Sequence, residues 1–214
     1  MKTKSILKTI GLCLLAAPVV AQASLLTIAP GGTTTVLSTV SGTWASAPSV
    51  VAGGYNVFAP PGEEVWYGDS RYSLFGNGNW DDFAWVGGYC FSGSCTATFD
   101  LGGLASAVGG FMNYAPGSGG TPMISALAAD GVTILESYDL AAVAPIVTPG
   151  GLNAGEFRGI FRSEGDIAYL QISGSYLIMH DLTVSAVPEP ETYAMLLAGL
   201  GILGFAVRRR RQVS

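Results

Sequence analysis

Residues 123–138 read MISALAADGVTILESY. Two apolar, β-rich bursts flank Ala129-Asp130-Gly131, and an Asp-Gly pair between such bursts predicts a β-hairpin, because these two residues tolerate the left-handed backbone that tight turns require. Similar bursts recur at 25–28, 35–40, 49–52, 64–67, 72–75, 83–86, 96–101 and 108–113, and again at 156–161, 167–172 and 177–185. Each is bounded by turn residues, and no stretch of helical length carries a 3.6-residue apolar period. The pattern predicts an all-β chain built as a single β-sandwich. In the last burst, alternation should put Ile178, His180, Leu182 and Val184 on one face and Met179, Asp181 and Thr183 on the other. The Gly- and Pro-rich pieces 116–122 and 145–155 are expected to be loops inside the domain, since strand patterns resume on both sides.

Both ends of the chain read differently from this middle. Lys2, Lys4 and Lys8 precede an apolar stretch at 10–20 and then Ala21-Gln22-Ala23, the pattern of a secretory signal peptide (1–23) cut before Ser24. Cys13 lies inside that apolar stretch and would leave with it. At the other end, 187–214 read VPEPETYAMLLAGLGILGFAVRRRRQVS. Pro188 and Pro190 fix their own φ and lack an N–H, so Pro188, Glu189 and Pro190 form an extended, protease-readable joint. The uncharged run 193–207 that follows would span about 22 Å as a helix, short of the roughly 30 Å hydrocarbon core. Tyr193 and the snorkelling side chains of Arg208, Arg209, Arg210 and Arg211 could complete a transmembrane helix, with the arginines on the cytoplasmic side. The body between the ends is 24–186.

The order Pro-Glu-Pro, Gly-containing apolar run, Arg cluster resembles the PEP-CTERM sorting signal of exported bacterial proteins. The resemblance covers only 187–214. It implies a transient inner-membrane anchor, recognition and cutting near Pro-Glu-Pro by an exosortase-type membrane enzyme, and delivery of the body to the envelope surface or an exopolysaccharide (biofilm) matrix. The alternative is an ordinary C-terminal anchor with a proline stop. The run 99–185 also resembles the β-sandwich bodies common among such proteins and carbohydrate-binding jelly rolls, on Gly109-Gly110-Phe111, Asp130-Gly131, Gly159-Ile160-Phe161 and Asp181-Leu182-Thr183-Val184. It implies a jelly-roll-like fold, and no ligand role comes with it to His180.

Charge narrows the function classes. All three lysines and four of the seven arginines lie in the end segments, which leaves the body with Arg71, Arg158 and Arg162 against thirteen acids, a net charge of −10. Such a surface repels phosphate backbones and anionic lipid, so nucleic acid is disfavoured as a partner and membrane contact is expected from the tail alone.

Few residues point to chemistry. Cys90 and Cys95, separated by Phe-Ser-Gly-Ser, are expected to form a disulfide outside the cytoplasm; their spacing is not C-x-x-C, and zinc would need further ligands. His180 is the sole histidine and sits in an apolar alternation, and no G-x-S-x-G is present, so a nucleophile–histidine hydrolase is not expected. Glu63-Glu64 and Asp81-Asp82 are the acids a carboxylate glycosidase would have to use. Asn77, Asn79 and Asp81 present oxygens at alternate positions, as a calcium loop does, although an Asn-Gly turn explains the same residues. Eleven of the chain's twenty-two aromatics fall within 55–91. Among them Trp66, Trp80 and Trp85 could stack on sugar rings beside Asp and Asn, or fill the core. The expectation is therefore an exported, non-catalytic, cofactor-free surface or matrix protein, with a carbohydrate-binding module and a glycosidase as the alternatives.

Overall fold

The computed structural model describes residues 22–38, 44–71, 73–81, 83–88, 90, 95–187, 198–200 and 202–203. The strands are β1 (Ala23–Leu26), β2 (Thr33–Thr35), β3 (Ala45–Ala47), β4 (Ser49–Ala52), β5 (Tyr55–Phe58), β6 (Val65–Gly68), β7 (Asn79–Trp80) and β8 (Trp85–Gly88). They continue with β9 (Cys95–Asn113), β10 (Met123–Leu127), β11 (Ile134–Asp139), β12 (Leu152–Asn153), β13 (Glu156–Arg162), β14 (Ile167–Gly174) and β15 (Leu177–Ala186). One helical turn, α1 (Leu140–Val143), follows β11 and is capped by Asp139, whose side chain accepts from the Ala142 N–H. The fold is all-β. Thirteen strands join in one hydrogen-bonded network in which every pairing is antiparallel, while β7 and β12 form a separate parallel pair.

Strand β9 divides that network into two halves. Its first part, 95–100, lies between β14 and β5, giving the order β11-β10-β14-β9-β5-β4. Its second part, 105–113, lies between β13 and β15, giving β1-β13-β9-β15 with β8, β6 and β3 beyond. Opposite β14 the register jumps from Asp100 to Ala105, so 101–104 leave the ladder. Gly102 turns there with φ +68°, and its N–H is held by the Asp100 carboxylate at 2.9 Å. The expected separate strands at 96–101 and 108–113 are thus two arms of one element. The antiparallel registers make the arms run in opposite directions, so 101–104 and the β13–β14 turn, 163–166, lie at the same end of the domain. Residues 113–122 and 144–155 lie at the other.

One apolar core takes residues from both halves, including Val57, Phe99, Val108, Met112, Ile124, Ile160, Leu170, Met179 and Leu182. Strand β15 contributes Leu177 and Met179, then Leu182 and Val184. The expected alternation therefore fails in its middle. Asp181 has φ +53°, and the register with β9 shifts between His180 and Thr183. This is a bulge, and one extra residue moves every later side chain to the opposite face. It also separates two partners on the other edge, since 177–179 pair with β8 and 182–184 with β2.

Two of the body's three arginines are buried fasteners. Arg158 donates to the carbonyls of Ala144, Pro145 and Phe157 and to Glu156 Oε2. Arg162 grips both carboxylate oxygens of Asp166 at 2.7 and 3.0 Å and also reaches Glu136 at 3.0 Å, joining β13, β11 and the 163–166 turn. That bidentate pair holds the Asp166 carboxyl below the usual range.

The 123–138 hairpin is present. Its turn is built on Asp130, whose carboxylate accepts from the Thr133 hydroxyl and from the Thr133 and Val132 N–H groups. These bonds lower its pKa from 3.8 to about 2.

Most of the expected transmembrane segment, all but residues 198–200 and 202–203, lies outside the described residues, as do the signal-peptide core, Pro188, Glu189, Pro190, and Arg208 to Arg211. Those five residues are helical, and among the described residues no helix is long and apolar enough to cross a membrane.

The lowered carboxyls predict an acid transition. Unfolded aspartates bind protons more readily, so the stability contributed by Asp130 and Asp166 is complete above about pH 4 and is lost as pH falls through the folded values. Thermal melts should show Asp130→Asn less stable than the parent at pH 6. The gap should close as the pH approaches about 2, the folded value for Asp130; a gap independent of pH would refute this origin.

Candidate functional site

The aromatic segment resolves into buried and accessible parts. Trp80 and Trp85 are 0% and 1% exposed and form a second apolar cluster with Leu74 and Ile178, against which Trp66 packs. The Trp80 indole N–H donates to the Phe83 carbonyl at 3.0 Å. Trp80 therefore belongs to the core, despite its Gly/Asn/Asp neighbours in sequence, and neither it nor Trp85 offers a face to a sugar ring. The cause is β7: it pairs with β12 and turns Trp80 inward while Asn79 faces out.

His180 joins this packing. Its ring lies nearly parallel to Phe83 (4.8 Å, 9°) and Phe111 (5.2 Å, 16°) and edge-on to Trp80 at 5.2 Å. Nε2 is 3.2 Å from the Ala154 carbonyl. Nδ1 is 3.2 Å from Asp181 Oδ2, an ion-pair distance that lacks hydrogen-bonding geometry. At 5% exposure the ring is packed among these aromatic side chains.

Asn77 proves to be the centre of a buried polar network. Its Nδ2 donates to Asn113 Oδ1 (2.8 Å) and to the carbonyls of Tyr114 (3.1 Å) and Ile146 (2.8 Å), while its Oδ1 accepts from the Thr148 N–H at 2.8 Å. Asn113 extends the network to Thr148 and Asn153. Of the residues expected to present oxygens to calcium, Asn77 turns its carboxamide inward and engages it fully, and Asp81 pairs with Arg71 at 3.4 Å. Among the described residues no three His, Cys, Asp or Glu side chains are grouped as metal ligands. Nothing local in the sequence announced the network, because its members are 35 to 76 residues apart. A buried Asn closing an apolar strand, as in Phe111-Met112-Asn113, was the one available signal.

Among the described residues, two hollows combine apolar walls with carboxylates as candidate binding surfaces. One, of about 580 Å³, is lined by Trp66, Glu63, Glu64, Pro60, Pro61 and Cys95. Trp66 is only half-buried, so of the three tryptophans expected to meet a glycan it alone borders open space. Each acid already has a fold contact: Glu63 Oε2 accepts from the Thr96 N–H, and Glu64 Oε2 from the Ser46 hydroxyl. The second hollow, about 520 Å³, lies between 114–122 and 139–147 and has Asp139 as its one carboxylate. Cys90 and Cys95 are disulfide-bonded with their Cα atoms 5.9 Å apart. The Cys90 carbonyl is held by Ser175, which lines the second hollow. Asp82 and the residues between the cysteines lie outside the described residues.

The joint to the tail is hydrogen-bonded and packed as far as Val187. The Val187 N–H donates to the Leu104 carbonyl at 3.0 Å, and a methyl added to Gly165 would lie only 2.4 Å from Val187 Cγ2. The folded body thus extends to the residue before Pro188.

Residues 186–211 match the PEP-CTERM protein-sorting motif, the mark of an exported chain sorted by an exosortase, a membrane enzyme. No curated protein and no solved structure matches the chain.

Urea unfolding should separate these roles. Trp80→Ala is expected to cost about 3–5 kcal/mol, as a buried aromatic truncation does. Asn77→Ala should cost about 2–4 kcal/mol by stranding several buried groups. A loss below about 1 kcal/mol for Trp80→Ala would contradict its core position.

Proposed function

We propose that this chain is an exported, non-catalytic β-sandwich, jelly-roll-like in plan. It loses residues 1–23 to signal peptidase, is held transiently in the inner membrane by 193–207, and is cut near Pro188-Glu189-Pro190 by an exosortase-type enzyme. The body is then delivered to the envelope surface or extracellular matrix. The observation that carries this reading is the contiguity of the sorting motif with the folded body: the motif begins at 186, where β15 ends. Just beyond this ladder, Pro188 and Pro190 would keep the chain out of a helix and readable by a protease.

A second reading, carbohydrate binding, is favoured by one observation, the hollow beside Trp66. A half-buried indole beside carboxylates offers an apolar face and hydrogen-bond acceptors to a sugar, exopolysaccharide included. It is a binding rather than a hydrolytic reading, because Glu63 and Glu64 each already support a strand, and a glycosidase needs both acids free for proton transfer and attack.

The intact mass of the secreted protein tests the first reading: it should begin at Ser24, end near 188–190, and contain the Cys90–Cys95 disulfide. Replacing Pro188, Glu189 and Pro190 with alanine should leave the chain uncut in the membrane. Replacing Arg208, Arg209, Arg210 and Arg211 with uncharged residues should mislocalise it. If the alanine variant is processed like the parent, the sorting reading is lost. For the second reading, Trp66→Ala should weaken binding to the matrix polysaccharide at least tenfold with the fold intact; unchanged binding would remove it.

A further inference from the structure

The end of the body from which the tail departs carries an unpartnered apolar surface. Leu104, in the 101–104 excursion of β9, is 50% exposed, and Val187, bonded to its carbonyl, is 36% exposed. Ile28 is 80% exposed and belongs to the 27–32 connection, whose Gly31 carbonyl accepts from Ser185 two residues before Val187. Strand β1 starts near the same end, where Ser24 pairs with Phe161, two residues before the 163–166 turn.

From these positions we infer that, while the tail is uncut, this end of the body rests against the lipid–water interface. The inference builds on the anchoring reading above. Because Val187 is fastened to Leu104 and Gly165, no slack exists before Pro188. Six Cα steps separate Val187 from Tyr193, where the apolar run starts, and at roughly 3.3–3.6 Å each they reach about 20 Å at most. The interfacial layer occupies about 5–8 Å of that. The tether therefore holds Leu104, Val187 and the 163–166 turn within a few side-chain lengths of the headgroups, at an effective concentration that makes a weak apolar contact sufficient.

Charge decides what kind of surface this is. Each of the three arginines of the body has an acidic partner: Asp81 for Arg71, Glu156 for Arg158, and Asp166 with Glu136 for Arg162. Glu164 is exposed on the turn itself. The contact is thus apolar, is opposed by anionic lipid, and is too small to hold the body once the tether is cut. The 144–155 end and its hollow then face away from the bilayer.

The test uses the chain after loss of its signal peptide, residues 24–214, in phosphatidylcholine nanodiscs, carrying a bimane label at Ser163→Cys or, at the opposite end, at Val147→Cys. Quenching by nitroxide-headgroup lipid should be at least threefold stronger at 163 than at 147. It should fall toward the 147 value with Ile28→Ser and Leu104→Ser, or with 30% phosphatidylglycerol. Equal quenching at the two labels in chains that do co-float with lipid overturns the docking alone, and that comparison needs no change to the apolar face. Failure to co-float with lipid overturns the anchor and the docking together.

Discussion

The ladder between β15 and the second arm of β9 is the interaction on which the rest of the structure depends. It runs from Ile178–Asn113 to Ala186–Ala105, and β8 and β2 attach to its free edge on either side of the Asp181 bulge. A last strand in this position is central, not peripheral. The core cannot close until the residues just before the sorting motif have been exported, because Leu177, Met179, Leu182 and Val184 are part of it.

The same arrangement accounts for where charge sits. A surface without lysine needs few cations for solubility, and the structure uses Arg158 and Arg162 inside, where planar donors can satisfy several carbonyls or a whole carboxylate. Such groups are costly to strand, so their value is in holding loops in place. Arg158 secures 144–145 above β13, and Arg162 ties the tail-end turn to β11. What remains outside is acidic apart from Arg71, which pairs with Asp81.

The aromatic segment illustrates how local composition can mislead. Trp80 stands among Gly, Asn and Asp, yet it is the most deeply packed of the tryptophans, because β7 pairs with β12 and turns it inward, while Asn77 bonds Asn113 and Asn153. A polar neighbourhood in sequence became a polar network in space. Trp66, in an apolar strand, is half-buried and borders open volume.

By itself the sequence determined the all-β class, the 123–138 hairpin, and the sorting motif. These rest on short-range patterns: period-two alternation, an Asp-Gly turn, and three tail segments whose order carries the signal. Strand β4 was legible to the residue, at 49–52. Tertiary structure alone decided that two bursts are one reversing strand, that β15 changes face at Asp181, that Asn77 points inward, and that Val187 is fastened to Leu104. Each of these depends on a partner dozens of residues away, such as Met112 above Gly155 or Thr148 beside Asn77. The free energy of such contacts comes from burial and hydrogen bonding that exist only once the chain has closed, so no window of the sequence could display them.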